Sequence, residues 1–445
     1  MEKEKTALPG KLVVKFVLLS LVGVISFLVP VSLNGQSGTV VSILTAQVQV
    51  WLAPVMDAIV ITIIAFSAFG SLYDHIMKKA GKPLPAWFHD CLSVKPLYIV
   101  SKFLTLAFTV MCTFQIGSAT LNDAASSMVA LGGTLVALAI AISFLLVFLI
   151  DSGLMEFVAE ITRPVIRPLF KVPSDASLDL LASWLAASDA AVILTQQKYN
   201  KGFYSKREAA SVMCNFSLVS VPFCMVVAEI GGVGEYFVPM YLLLCFLGIF
   251  LGAVMPRIPP LSRIPDEYLV KRPVVEQRNE EGLFRRGLHA GCEVAERFHA
   301  GVVWSSGVNT IFSVLLSVMP IAIGWGVIGM FLVEFTPVFE WISFPMGVYL
   351  NLLGVEEAFA AAPATLVGFI DMYIPVLILS GVHSLRTRFI ITTLSLIQIV
   401  YITIVGSVVF QSKVGVDGKD LFIIFLERTV IALPIIVVAA NFIVR

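Results

Sequence analysis

Charged residues are scarce in this 445-residue sequence. Asp, Glu, Lys and Arg make up 13% of the chain, and acidic and basic residues balance to a net charge of zero. About one quarter of the residues in a soluble domain are charged. The sequence is instead 58% hydrophobic, with a mean hydropathy of +0.93. We therefore predict an all-α polytopic membrane protein whose main partner is the lipid bilayer, and we expect no nucleic-acid partner because no basic excess is present.

Cysteine pairs and nucleotide-binding motifs are also missing. The six cysteines are scattered without a CxxC pair, which argues against a disulfide framework or a zinc site. No GxxxxGK[ST], GxGxxG, HExxH or GxSxG motif occurs. One group at helical spacing contains metal-ligating residue types, but it lies in a polar segment, where a solvated helix face is the simpler interpretation: His289, Cys292, Glu293, Glu296 and His299. We predict no enzyme, no cofactor and no metal site.

The apolar runs predict about nine transmembrane helices, because about 20 apolar residues cross the hydrocarbon core. They cover about 12–31, 48–72, 97–116, 128–150, 209–230, 236–255, 303–333, 389–410 and 421–444. Most Lys and Arg residues then fall into loops on one side, with the N-terminus in the cytoplasm. We expect a multi-pass protein of a bacterial cytoplasmic (inner) membrane, with homo-oligomerisation possible.

Two further apolar stretches, about 172–200 and 355–381, predict re-entrant helical hairpins. The first contains Asp175, Asp179 and Asp189, and lysines flank it on both sides. Cationic flanks at both ends place both ends on one side of the membrane. Non-helical backbone at membrane depth is tolerated where protein or a cavity surrounds it. An amphipathic interfacial helix precedes the first hairpin, at about 151–171.

An internal repeat relates the two hairpins. A shift of about 183 residues places the second half on the first, in the order span, interfacial helix, hairpin, span, span. Three crossings separate equivalent points, so the copies have opposite orientation, as in many secondary transporters. We predict four parts: an N-terminal three-helix scaffold (1–127), a first repeat (128–255), a basic cytoplasmic arm with an amphipathic helix (256–302) and a second, inverted repeat (303–445).

Polar residues within these apolar segments are the candidate site. We predict that the solute contacts Ser183, Ser188, Asp189, Asn215, Glu356, Glu357, Asp371 and Gln398. We predict that the coupling ion, Na⁺ or H⁺, contacts Asp189, Asp371 and Glu427. Simpler alternatives remain for several of these residues. Glu356 and Glu357 suit helix capping, Asn215 and Gln398 suit helix–helix bridging, and Glu427 and Arg428 suit structural ion pairs with other spans.

The hairpin regions resemble the nucleoside-recognition, or Gate, domain family of bacterial membrane proteins. The resemblance lies in SWLAASDAAVILTQQKYNKGFYSKREAASVMCNFS and in LLGVEEAFAAAPATLVGFIDMYIPVLILSGVHSLRTRFIITTLSLIQIVYI, and it spans about 128–409. The family is distantly similar to concentrative nucleoside transporters, which implies ion-coupled movement of a small polar solute. The first hairpin reads SWLAASDAAV where those transporters carry Glu/Gln-containing recognition motifs, so nucleoside specificity does not follow.

Three functional hypotheses follow. The first is a permease for a nucleoside, nucleobase, amino acid or similar solute, bound between the two hairpins and the spans that follow them, the fifth and eighth. The second is a membrane assembly or signalling protein that retains the Gate fold without transport. The third is a metal-ion permease, suggested by Cys214 near a membrane-depth position where ferrous-iron members of the family use cysteine.

Overall fold

The computed structural model describes most of the chain, with gaps. The described residues are 9–33, 36–82, 84–85, 88, 91–94, 96–116, 119–173, 176–177, 180, 195–216, 219, 221–270, 282–321, 323–324, 327–328, 336–370, 372–401, 406, 409, 412 and 414–444. Six helical segments among them are long and apolar enough to cross a membrane: Gly10–Phe27, Val40–Lys79, Gly132–Ile150, Gly234–Arg257, Ala300–Ile321 and Gly418–Ile443. The predicted helical membrane fold is confirmed at this level.

The elements follow one another in an almost entirely helical order. The first half contains α1 (Gly10–Leu28), β1 (Pro30–Leu33), β2 (Gln36–Thr39), α2 (Val40–Leu52), α3 (Met56–Lys79), α4 (Pro96–Thr113), α5 (Ala119–Ile150), α6 (Leu154–Phe170), α7 (Lys206–Ser211), α8 (Val221–Ile230) and α9 (Phe237–Val254). The second half contains α10 (Leu283–Arg297), α11 (Ala300–Ser313), α12 (Val338–Leu352), α13 (Ala358–Val367), α14 (Ile374–Leu377), α15 (Leu385–Gln398) and α16 (Gly418–Ile443). β1 and β2 form one short antiparallel pair.

The second predicted span lies within a much longer helical run. α2, the 3₁₀ turn Ala53–Val55 and α3 follow each other without interruption over 40 residues. At 1.5 Å per residue this run is about 60 Å long, whereas the hydrocarbon core is about 30 Å thick. Pro54 lies in the 3₁₀ turn, where it lacks an N–H to continue the α-helical pattern. Between the first two predicted spans lie the end of β1, then β2 and the first part of α2.

The amphipathic segment after the fourth predicted span is a helix, as predicted. α6 packs along α10, the helix of the basic arm, and α1 contacts α10 as well. The two helices touch at backbone level, since a Cβ built on Gly153 would lie 2.1 Å from the carbonyl oxygen of Gly291. Gly153 also has φ of 92°, which favours glycine. The predicted arm helix is confirmed, and it is attached closely to the first repeat.

In the segment predicted as the second hairpin, about 355–381, which we call the second hairpin, the two ends lie close together. α13 runs into a turn, and α14 with the 3₁₀ segment Ile378–Gly381 leads back. The Glu357 carboxylate accepts hydrogen bonds from the backbone N–H groups of His383, at 2.8 Å, and Ser384, at 3.2 Å. These bonds join the two ends of the segment. The first hairpin, 172–200, lies largely outside the described residues.

A buried lysine joins the N-terminal helices to the helical segment that follows α11. Lys102 of α4 is 0% exposed, and its ammonium group donates to Ser71 Oγ and to the Leu316 carbonyl, each at 2.8 Å. Ser67 Oγ donates to the same carbonyl at 2.5 Å. Leu316 belongs to the π-helical segment Val314–Val318, which follows α11. We call Ser67, Ser71, Lys102 and Leu316 the Lys102 cluster.

Candidate functional site at two helix breaks

The fifth predicted span is interrupted. α7 begins with a capping box in which Ser205 Oγ accepts from the Glu208 N–H and the Glu208 carboxylate accepts from the Ser205 N–H. The helix then widens into the π-helical segment Val212–Phe216, and α8 resumes at Val221. π-helical turns occur often at functional sites. The prediction of one continuous span is therefore wrong for this segment.

The eighth predicted span is interrupted at the matching place. α15 ends at Gln398, and Ile399 has φ of +47°. A β-branched residue rarely adopts this conformation, so the α-helix stops here. Asn215 lies in the first break and Gln398 at the second, and their sequence numbers differ by the 183 residues of the internal repeat.

Arg428 of α16 joins the two breaks. Its Nε and Nη2 donate to the Ile397 carbonyl at 3.1 and 2.6 Å, and its Nη1 donates to the Asn215 carbonyl at 3.1 Å. Nη1 also donates to the side-chain oxygen of Asn215. The Arg428 residue is 1% exposed. We call Asn215, Ile397, Gln398, Arg428 and Thr429 the junction.

The side-chain amides of the junction are fixed by further hydrogen bonds. Asn215 Nδ2 donates to the carbonyls of Leu251 and Gly252 in α9, at 3.2 and 3.4 Å. Gln398 Nε2 donates to the Thr365 carbonyl and to Thr429 Oγ1, both at 2.8 Å. The helix-bridging interpretation of both amides is confirmed. The Asn215 amide is thereby joined to α9, and the Gln398 amide to α13 and α16.

One acceptor of the junction has no donor among the described residues. Gln398 Oε1 is buried and unpaired there, and unpaired buried polar atoms call for an explanation. This oxygen faces the end of α13, because a Cβ built on Gly368 would lie 2.1 Å from it. Gly368 precedes Asp371, which lies outside the described residues. The unpaired oxygen therefore lies beside the turn of the second hairpin.

The charge of Arg428 is balanced by main-chain dipoles. Within the described part of the chain, neither Arg428 nor Glu427 forms an ion pair, so the predicted structural ion pair is not found there. The Ile397 carbonyl lies in the last turn of α15, where helix carbonyls carry partial negative charge. Sequence reasoning recognised Arg428 as unusual in an apolar span but missed this role, because its main-chain partners carry no side-chain signal.

Glu356 and Glu357, two further predicted site residues, lie at the base of the second hairpin. There the Glu356 carboxylate accepts a hydrogen bond from Ser384 Oγ at 2.6 Å. α15 has 14 residues, about 21 Å, and it separates this base from Gln398. Glu357 makes no capping bond to α13 and instead binds the N–H groups before α15. Their role in solute contact stays a prediction.

Glu427 is the neighbour of Arg428 in α16. Whereas Arg428 is hydrogen-bonded, the Oε2 atom of Glu427 is buried and has no donor among the described residues. Its proposed role in ion coupling stays a prediction. The remaining predicted site residues lie outside the described residues: Ser183, Ser188, Asp189 and Asp371. Of the residues described, no group of three or more His, Cys, Asp or Glu side chains could hold a metal ion.

Comparison with known proteins identifies the family to which this chain is related. The family described as "Gate: Nucleoside recognition" matches residues 131–234. An uncharacterised protein of Alkalihalophilus pseudofirmus is 33% identical over 446 residues, which cover 96% of this chain and 94% of that protein. No activity is attached to this relative by its name.

Solved structures of CNTnw variants in an outward-facing state are more distant. One is 14% identical with a TM-score of 0.39 and covers 97% of this chain and 98% of its own. Another is 12% identical with a TM-score of 0.36 and covers 99% of this chain and 92% of its own. These scores are too low to transfer a helix arrangement to this protein. The chain belongs to the nucleoside-recognition (Gate) domain family of multi-span membrane proteins.

Proposed function

We propose that this protein is a secondary transporter that moves a small polar solute across a bacterial cytoplasmic membrane, with its N-terminus in the cytoplasm. The observation that carries the proposal is the junction. Two helices break at positions 183 residues apart, and a single buried arginine binds a carbonyl oxygen from each break. Discontinuous helices whose ends meet within the protein characterise many secondary transporters.

The polar groups of the junction suit a neutral polar solute. Gln398 Oε1 can accept a hydrogen bond from a hydroxyl, amide or amine group at the hairpin turn. The amide nitrogens of Asn215 and Gln398 already donate to protein groups. A nucleoside, nucleobase or amino acid carries the donors that such an acceptor needs. The family description, nucleoside recognition, makes nucleosides and nucleobases the first compounds to examine.

The transport cycle places the solute between the two hairpins and the broken helices. In this proposal both hairpins are re-entrant, they enter from opposite sides, and the second hairpin moves relative to α15. Its base is held by Glu357 and its turn lies beside Gln398. Coupling to Na⁺ or H⁺ involves Asp189, Asp371 or Glu427. Movement of the turn would expose or cover the Gln398 acceptor.

Ligand screening followed by uptake tests this proposal. Purified protein in detergent is screened for a rise in melting temperature with nucleosides, nucleobases, amino acids and dipeptides, since a ligand that binds the native state raises its stability. A compound that stabilises the protein is then assayed for uptake into proteoliposomes. We expect Gln398→Leu to reduce uptake about tenfold or more, because it removes one hydrogen bond between uncharged groups in a buried site.

A surface variant provides the control. The Arg297 side chain is 79% exposed and forms an ion pair with Glu293 on the same helix, so Arg297→Ala should transport at the rate of the unmodified protein. Uptake that is equal in Gln398→Leu, Arg297→Ala and the unmodified protein would show that the junction is not the solute site. A protein that binds none of the four compound classes and accumulates none of them would contradict the transport proposal.

A further inference from the structure

Main-chain carbonyls at helix breaks attract cations. The last carbonyls of a helix carry partial negative charge because they have no intrahelical donor. In transporters with broken helices, such carbonyls coordinate the coupling Na⁺ or H⁺. The Ile397 carbonyl, in the last turn of α15, has this character, and it converges with the Asn215 carbonyl of the π-helical segment on one point inside the protein. At that point the structure places the guanidinium group of Arg428.

The guanidinium group fills this position almost completely. It has five N–H donors in a planar fork. Nε–H and one Nη2–H donate to Ile397, and both Nη1–H groups are directed at the two oxygens of Asn215. Four of the five donors are thereby used by three oxygens, and the Arg428 residue is 1% exposed. A mobile cation has no room to bind the same oxygens.

The set of oxygens also suits a planar cation better than a small ion. Hard metal cations in proteins are surrounded by several oxygens, six or more for calcium. The junction offers Arg428 three oxygens, two on Asn215 and one on Ile397, and a fork can bind two of them at once. The arrangement therefore matches a guanidinium and would leave a small ion undercoordinated.

We propose that Arg428 is a built-in cation that replaces a dissociable coupling ion at the junction and holds the breaks of the two repeats together. It is a positioning residue and does not contact the solute. This inference rests on the proposed function for its role in coupling, because it requires the coupling ion to bind elsewhere. It also makes a claim about the fold alone: removing the side chain leaves a cavity that accepts a free guanidinium ion.

Chemical rescue tests the proposal. Arg428→Ala is purified in detergent, and its melting temperature is measured with low-millimolar guanidinium chloride, methylguanidinium chloride or sodium chloride at matched ionic strength. We expect a lower melting temperature than that of the unmodified protein, and a saturable rise with guanidinium or methylguanidinium but not with sodium. The unmodified protein should show no such rise at these concentrations.

An exposed arginine with similar bonding provides the matched control. Arg257 donates to the carbonyls of Pro168 and Leu169 at the end of α6, but its side chain is exposed to solvent. Water can replace it there, so Arg257→Ala should show no stabilisation by guanidinium. An equal response in Arg257→Ala and Arg428→Ala would indicate a general salt effect and overturn the proposal.

A second variant covers the case in which Arg428→Ala fails to fold. Arg428→Gln keeps a donor that can reach one carbonyl, and both variants are also extracted from membranes in the presence of guanidinium. If neither variant responds to guanidinium, or if guanidinium recovers no folded protein, the proposal is wrong. A stabilising response to sodium in place of guanidinium would also overturn it, because it would identify the junction as an ordinary alkali-ion site.

Uptake separates this proposal from the proposed function. In proteoliposomes, Arg428→Ala should lose at least about tenfold in uptake rate, since the variant lacks the charged donors that hold the two breaks together, and guanidinium should restore part of the rate. The melting-temperature experiment needs no transport. A guanidinium response in a protein that accumulates no solute would therefore contradict the transport proposal and leave the built-in cation supported.

Discussion

The junction and the Lys102 cluster each place a buried cation on main-chain carbonyls of an irregular helix, but they use different side chains. Arg428 contacts carbonyls from two segments that are far apart in sequence. Lys102 contacts one carbonyl, Leu316, and one hydroxyl, Ser71. Arginine presents a rigid fork of donors, whereas lysine is a compact point charge. Both cations join segments that are far apart in sequence, but arginine holds carbonyls of two different segments, while lysine shares a single carbonyl with a hydroxyl group.

The two regions also differ in what remains if the cation is removed. The Leu316 carbonyl keeps Ser67 Oγ as a donor, and Ser71 Oγ keeps the Leu92 carbonyl as its acceptor at 2.8 Å. In the junction, the Ile397 carbonyl has no described side-chain donor other than Arg428. Leaving a buried acceptor unpaired costs about 1–3 kcal/mol. We therefore expect the junction to depend on its cation much more than the Lys102 cluster does.

The largest effect is expected for Arg428→Lys. An ammonium group cannot contact Ile397 and both oxygens of Asn215 in one plane, so we expect a loss of about 3 kcal/mol in the free energy of unfolding. Denaturant unfolding in mixed micelles measures it. Arg257→Lys, at an exposed site, should change stability by less than about 0.5 kcal/mol. Equal losses in the two variants would show that charge alone is needed at the junction.

The reverse exchange, Lys102→Arg, should have the next largest effect. The larger guanidinium group must enter a site that is 0% exposed and closely packed between α3, α4 and the segment Val314–Val318. Overpacking of a core typically costs about 1–3 kcal/mol. The same unfolding measurement applies. A variant as stable as the unmodified protein would show that the Lys102 cluster has unused space and can also hold a guanidinium group.

A smaller effect is expected for Gly368→Ala, which tests how far the junction extends into the second hairpin. The added Cβ would lie 2.1 Å from Gln398 Oε1, so the amide must shift away from Thr365 and Thr429. We expect a loss of about 1–2 kcal/mol. In a Gln398→Ala background the added methyl group should cost much less, and a double-mutant cycle measures the coupling. If the losses of stability from the two substitutions are additive, Gly368 and Gln398 do not interact, and the second hairpin is energetically independent of the junction.

The smallest effect is expected for Lys102→Met. Replacing a buried charge by an apolar side chain of similar size is often neutral or even stabilising, and the neighbouring hydroxyls keep partners. We expect a change within about 1 kcal/mol, measured as for the other variants. A loss as large as that of Arg428→Lys would contradict the difference drawn between the two regions.

The sequence predicted the components of the junction better than their arrangement. Asn215 and Gln398 stood out because amides are unusual in apolar spans, and they lie 183 residues apart, the shift of the predicted repeat. Pro222 directly follows the first break, whereas IQIV contains no glycine or proline to interrupt a helix at the second. The breaks depend on a donor that the chain supplies from α16, 213 residues after Asn215. Local propensity carries no information about such a partner.

The fold shows the same limit in another place. The amphipathic helices α6 and α10 were predicted, because their apolar residues recur at helical spacing and this pattern is local. Two other expectations are not met among the described residues. The ion pairs expected for Glu427 and Arg428 were inferred from charge alone, whereas Arg428 binds neutral main-chain oxygens. Span 48–72 was bounded by hydropathy, whereas the helical run extends from Val40 to Lys79.

The contact between Gly153 and Gly291 has a practical consequence for measuring motion. Because the backbones touch, α6 and α10 cannot separate without a change in their helix packing. A fluorescent or spin label on Glu293, whose side chain is 70% exposed, would therefore report the orientation of α6 and not the movement of a free tether. A matching label on the exposed Trp341 of α12 would report the helix that precedes the second hairpin. The distance between the two labels would then measure how one half of the protein moves against the other.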